Sequence, residues 1–140
     1  MSDYKKSYSG FIIMMVVFIA VMLVLPFISD IGENAITIIL FNFLDIWMVL
    51  LTWIIYKTEK IYWYTGVSYE EAAKTESANR KRYAFCHFKR FLYYAVIYAV
   101  YSVIAYLADI SLTSNILFAT VGIVAVAIST TNIKLTEKAV

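Results

Sequence analysis

This chain is poor in the residues that most often carry chemistry. It has one cysteine, Cys86, so no intrachain disulfide can form, and one histidine, His87. These adjacent residues offer at most two metal ligands where a structural zinc site takes four, so no metal and no cofactor is expected. The G-x-x-x-x-G-K-[ST], G-x-G-x-x-G, H-E-x-x-H and C-x-x-C patterns do not occur. A Ser–His–Asp set is excluded because the sole histidine sits among basic residues outside the apolar runs. One proline and four glycines give little sign of the broken helices that build transporter ion sites. Charged residues are scarce at 16%, and a net charge of +2 is too small to point to nucleic acid as a partner. No catalytic group stands out, and no enzyme is expected.

Apolar residues are what the chain has in excess. It is 62% hydrophobic over 140 residues, with a mean hydropathy of +0.74. Soluble domains run at about 45–50% by a similar count. The run Phe91–Ala108 organises the rest: it is uncharged, long enough to cross a bilayer, and follows a basic cluster directly. Three more runs join it, at Phe11–Ile28, Ala35–Tyr56 and Asn115–Ile133. Each matches a hydrocarbon core of about 30 Å at 1.5 Å per helical residue. Phe11–Ile28 exceeds the ~7–15 residues of a signal-peptide core and lacks an A-x-A-like site, so a retained helix is expected. Continuous rather than alternating runs argue for helices over a membrane β-barrel. The expected fold is all-α: residues 1–140 form one polytopic membrane domain, a bundle of four transmembrane helices with a juxtamembrane cytoplasmic amphipathic helix.

Orientation follows from lysine and arginine. All 12 fall in the N-terminal head, the long polar stretch 57–90 or the C-terminal tail. The two short turns, around Ser29–Asn34 and Asp109–Ser114, have none. The positive-inside rule then places both termini and the long stretch in the cytoplasm, with the cell membrane as the location and the lipid bilayer as the first partner.

One acid interrupts the apolar runs. Asp45 lies about 15 Å from either face of the second span. An ionised aspartate at a helix centre costs about 2.5–3.5 kcal/mol, so such a group faces the interior and finds a partner. Asn42 is on the same face, and Tyr101 and Ser102 of the third span lie at matching depth, with Tyr98 one turn away. The shared face of Tyr94, Tyr98 and Tyr101 is expected to meet Asn42 and Asp45. Two readings stay open. Asp45 is either a protonatable site on a cation route, with Asp30, Glu33 and Asp109 gathering cations at the mouth, or a polar contact that orients two helices.

Ala119, Gly122, Ala125 and Ser129 place small residues on one face of the fourth span, which lets two backbones approach closely within the chain or between copies.

In the polar stretch, Ile61–Tyr64 is expected in the headgroup layer as an aromatic anchor. Thr65–Gly66 marks a turn, and Ser68 with Glu71 reads as a capping box opening one helix from about Tyr69 to about His87. Arg80, Lys81, Arg82, Lys89 and Arg90 form a basic patch suited to anionic lipid head groups or a partner protein.

The expected function is a non-enzymatic accessory or interaction subunit, immunity-type inhibitors included, that works through its helices and basic stretch, with a second copy or another membrane protein as partner. The alternative is a small oligomeric channel or proton-coupled transporter using Asp45.

Overall fold

The computed structural model describes residues 4–28 and 31–135. Asp30, one of the acids expected at the mouth, and Lys138 of the tail lie outside the described residues. Within them the chain is helical, and no strand occurs among the described residues. The helices are α1 (Ser9–Ile28), α2 (Glu33–Thr58), α3 (Tyr69–Lys74), α4 (Ser77–Leu107) and α5 (Leu112–Thr131), with a 3-10 turn at Ile61–Trp63. Four of them, α1, α2, α4 and α5, are long and apolar enough to cross a membrane.

The helices begin and end for local reasons. Pro26 stands in the last turn of α1, where few backbone bonds remain to be lost. Glu59 ends α2 in the left-handed conformation at φ 59° and ψ 15°. Ser68 caps α3 by accepting from the backbone N–H of Glu71 at 3.1 Å, half of the expected capping box. Ser111 caps α5 by accepting from the N–H of Ser114 at 3.3 Å. In α2 the hydroxyls of Thr37, Thr52 and Thr58 donate to carbonyls one turn earlier, which satisfies them in apolar surroundings.

The single helix expected from Tyr69 to His87 is two. Thr75 and Glu76 are extended, with ψ of 139° and 148°. The Arg80 guanidinium donates to the carbonyls of Ala72 and Thr75, which a continuous helix would have used for its own N–H groups. The second half then runs without interruption into the third apolar run. At 31 residues α4 is about 46 Å long, some 16 Å more than a hydrocarbon core.

Packing is uneven. α2 and α4 make the most extensive contact, and α5 packs on both. α1 leans on α2, where Phe18 stacks on Phe43 at 5.9 Å and tilts against Trp47 at 5.7 Å. None of its apolar window is buried. The main core lies at one end of the molecule, where Ile55, Ile61, Tyr62, Val67, Ala72 and Ala84 come together. Tyr4 from the head and Ile133 and Leu135 from beyond α5 pack against it. The head, the polar stretch and the segment after α5 therefore meet at the same end.

Candidate functional site

Three places carry the polar side chains singled out on sequence. Midway along the helices, Asn42 of α2 donates to Ser102 Oγ of α4 at 2.8 Å and to its own Ile38 carbonyl at 2.9 Å. Ser102 Oγ donates in turn to the Tyr98 carbonyl at 2.8 Å. This relay joins the two helices with the best mutual contact. Asp45 is 5% exposed, and its Oδ2 has no hydrogen-bond partner among the described residues. Tyr98 is fully buried and its hydroxyl is likewise unpartnered.

The tyrosine face divides its contacts. Ser102 meets Asn42, but Tyr94 and Tyr101 reach α5 instead of α2. Tyr94 Oη donates to the Ala119 carbonyl at 2.9 Å. Tyr101 Oη donates to Asn115 Oδ1 at 2.8 Å, and its ring stacks on Phe118 at 3.8 Å. The Ala119 carbonyl and the Asn115 amide oxygen lie within hydrogen-bond reach of these hydroxyls, whereas Asp45 of α2 bonds to neither among the described residues.

The small residues of α5 separate in the same way. Ala119 is fully buried, and a methyl at Gly122 would lie 2.3 Å from the Tyr94 ring, so these two receive α4. Ala125 is exposed, and Ser129 returns its hydroxyl to the Val126 carbonyl at 2.7 Å.

The third place is the end where the basic residues gather. Arg80, grouped on sequence with the exposed cations, does not belong with them. It is 5% exposed, its Nη2 lies 2.8 Å from Glu59 Oε2, and its guanidinium sits 4.4 Å from the Tyr4 ring centre. Four of its five N–H donors are taken by Glu59, Ala72 and Thr75, which leaves little for lipid or partner. Lys81 reaches the same carboxylate at 3.4 Å but is half exposed. Burial works against the Glu59 charge, yet hydrogen bonds from Ser77 and Arg80 and the charges of Arg80 and Lys81 outweigh it and hold the carboxyl below its usual range. Burial pushes the Tyr4 hydroxyl up, with the Arg80 charge opposing in part. Lys89 lies over the rings of Phe85 and Tyr93 at 5.7 and 5.8 Å, with its head outward.

In the Ile61–Tyr64 patch, Ile61 and Tyr62 are enclosed rather than at the surface, while Trp63 and Tyr64 stay partly exposed. Ile61 is fully buried and Tyr62 is 4% exposed. The Tyr62 hydroxyl accepts from the Ser7 N–H at 3.0 Å, and Trp63 Nε1 donates to the Ser7 carbonyl at 3.1 Å. The left-handed turn at Glu59 folds the patch back over the helix ends, where the head covers it. His87 is buried, its Nδ1 is 3.0 Å from the Tyr83 carbonyl, and its ring stacks on Tyr64 at 4.3 Å.

A cleft of about 950 Å³ opens beside this end, walled by residues that include Phe11, Thr52, Trp63, Tyr64, His87 and Thr130. Its deepest α2 residue, Met48, stands one helical turn from Asp45.

Two groups were not singled out on sequence. Asn115 is fully buried and donates to Asn34 Oδ1 at 2.6 Å, while Asn34 donates to the Ile110 carbonyl at 2.8 Å. This clasp ties the start of α2 to the α4–α5 turn. Two asparagines flanking the short turns were the available signal. Glu59 was the other omission, one acid between two lysines. No protein-family model, no curated protein and no solved structure matches the chain.

Proposed function

We propose that this chain is a multi-pass membrane protein of the cell membrane, a bundle of four spans with both termini and the 57–90 stretch in the cytoplasm, and that it acts as a non-enzymatic interaction subunit. The observation that carries the reading is the order built into the polar stretch. A charge signal for orientation needs only lysine and arginine near the spans and no tertiary structure. Here the stretch is packed onto the helix ends, pinned by a buried ion pair and covered by the head. Lys81, Arg82 and Lys89 are presented from a rigid helix that continues into a span. A presented, ordered basic surface suits recognition of another molecule at the membrane face.

The alternative, a proton-coupled carrier or small channel, is favoured by one specific observation. The Asp45 carboxylate has an unpartnered oxygen, and the large cleft stops one turn short of it. Intramembrane acids without partners are costly and mark ion routes in many proteins.

The experiment is site-specific photo-crosslinking at Lys89 in native membranes, beside ion flux in reconstituted vesicles. The subunit reading expects a discrete adduct that is lost with K81Q/R82Q and no proton flux that depends on Asp45. Flux abolished by Asp45→Asn, with no adduct, would replace it by the alternative. Impermeant thiol reagents reach Cys86 from the inner side only, whereas Thr113→Cys in a C86S background reacts from outside.

A further inference from the structure

Three basic residues that do not pair with Glu59, namely Arg82, Arg90 and Lys134, converge on a second, smaller cavity. It measures about 250 Å³ and is lined by Asn79, Arg82, Tyr83, Cys86, Arg90 and Lys134 among others. Arg82, Cys86 and Arg90 follow at i, i+4 and i+8 along one face of α4, and Lys134 arrives from the segment after α5. Three cations thus border one pocket, and no acid is among the described residues that line it. Among the described residues none of the three has an ion-pair partner. Holding like charges together is unfavourable unless something negative joins them.

A second observation points the same way. Asn79 is 7% exposed, and its Nδ2 has no hydrogen-bond partner among the described residues. A buried donor left without an acceptor is destabilising, and native proteins rarely keep one. The pocket therefore combines an unsatisfied amide donor, two guanidinium forks and one ammonium. Guanidinium forks match the paired oxygens of a phosphate, and an ammonium adds a compact charge. The volume corresponds to about eight waters at about 30 Å³ each, room for a phosphate and part of the group that carries it.

We propose that this pocket binds a phosphate monoester, borne by either an anionic lipid headgroup or a small soluble phosphate. Arg90 stands directly before the uncharged run Phe91–Ala108, so the lipid source rests on the membrane reading above, while the phosphate site itself rests only on the pocket. Arg82 and Arg90 grip the oxygens from α4, Lys134 closes from the segment after α5, and Asn79 Nδ2 donates from the buried wall. Arg80, enclosed against Glu59, and Lys81, which does not line the pocket, take no part.

Cys86 in the pocket wall supplies a direct readout. The full-length chain is placed in phosphatidylcholine nanodiscs, and the rate of Cys86 alkylation is followed. Three probes are used: inorganic phosphate in solution, nanodiscs containing phosphatidic acid, and nanodiscs containing phosphatidylserine at matched surface charge. Protection by phosphatidic acid above that by phosphatidylserine supports the site with a lipid source. Protection by inorganic phosphate alone supports it with a soluble source. Arg90→Gln and Lys134→Gln should each weaken protection about tenfold, the loss of one charge-assisted contact, and Lys81→Gln should leave it unchanged. The proposal is overturned by either of two results: equal protection from the two lipids with none from phosphate, or protection that survives R90Q and K134Q alike. Lys134 follows the last helix and is exposed, so K134Q keeps the test valid should R90Q fail to fold. A chain that stayed monodisperse without any amphiphile would sink the membrane reading and leave the phosphate result standing.

Discussion

Arg80 Nη2 lies 2.8 Å from Glu59 Oε2, and this pair joins the end of α2 to the start of α4. Glu59 holds a left-handed conformation that costs an L-residue roughly 1–2 kcal/mol, so the turn needs support. The support is concentrated on that one residue. Ser77 Oγ donates to its carboxylate at 2.7 Å, and Tyr4 Oη donates to its carbonyl at 2.7 Å. The guanidinium meanwhile holds the two carbonyls that open the break between α3 and α4.

The costs of removing the two members of this pair should not add. Arg80→Gln or Glu59→Gln alone strands a charge that is largely enclosed and is expected to cost about 3 kcal/mol. The double variant should lose clearly less than the sum. Denaturant unfolding of the four proteins in one detergent measures the cycle, and strict additivity would show that the contact carries no coupling.

Acid should weaken the same junction. The folded state holds the Glu59 carboxyl below its ordinary value of 4.5. The stabilisation is therefore complete above about pH 4.5 and is lost as pH falls from there through the lower folded-state value. Melting temperature against pH should drop in that window for the wild-type chain and drop less for Glu59→Gln. Parallel curves for the two proteins would assign the acid sensitivity elsewhere.

Gly122 is matched to Tyr94. A Cβ at 122 would sit 2.3 Å from that ring, and the ring is held by the hydroxyl bond to Ala119. Gly122→Ala should cost about 1–3 kcal/mol through overpacking, and Gly122→Ile more. Tyr94→Ala makes room, so Gly122→Ala should cost little in that background. An undiminished cost there would place the conflict outside Tyr94.

The far end should depend on Asn115. Asn115→Leu leaves Asn34 Oδ1 and the Tyr101 hydroxyl without their partner and is expected to cost about 1–3 kcal/mol. Hydrogen exchange should rise at the start of α2 and at the α4–α5 turn, with the Glu59 end unaffected. Protection lost first at the Glu59 end would show that the clasp does not act locally.

The helices were legible because length and apolarity are local properties. All four apolar runs lie within or nearly within helices long enough to cross a membrane, with ends shifted by a few residues except at the start of α4, which begins at Ser77, well before Phe91. Ser68 and Gly66 were legible for the same reason, since a cap and a turn are set by neighbours in the chain. The break at Thr75–Glu76 was not, because no proline or glycine marks it. It depends on Arg80 taking two carbonyls, a contact defined only once the chain has folded back.

Sequence alone determined which segments are helical and apolar, and that every lysine and arginine lies in the head, the 57–90 stretch or the tail. Tertiary structure decided what each polar group does. Five cations that read as one patch became a buried brace at Arg80, a partly tied Lys81, an outward Lys89, and Arg82 and Arg90 left to border a pocket with Lys134. Of the tyrosines on one face, Tyr94 and Tyr101 bond to α5, and the buried Tyr98 hydroxyl has no partner among the described residues. Hydropathy is a sum over a segment and survives any packing, whereas the role of a charge or a hydroxyl depends on which single atom lies within about 3 Å of it.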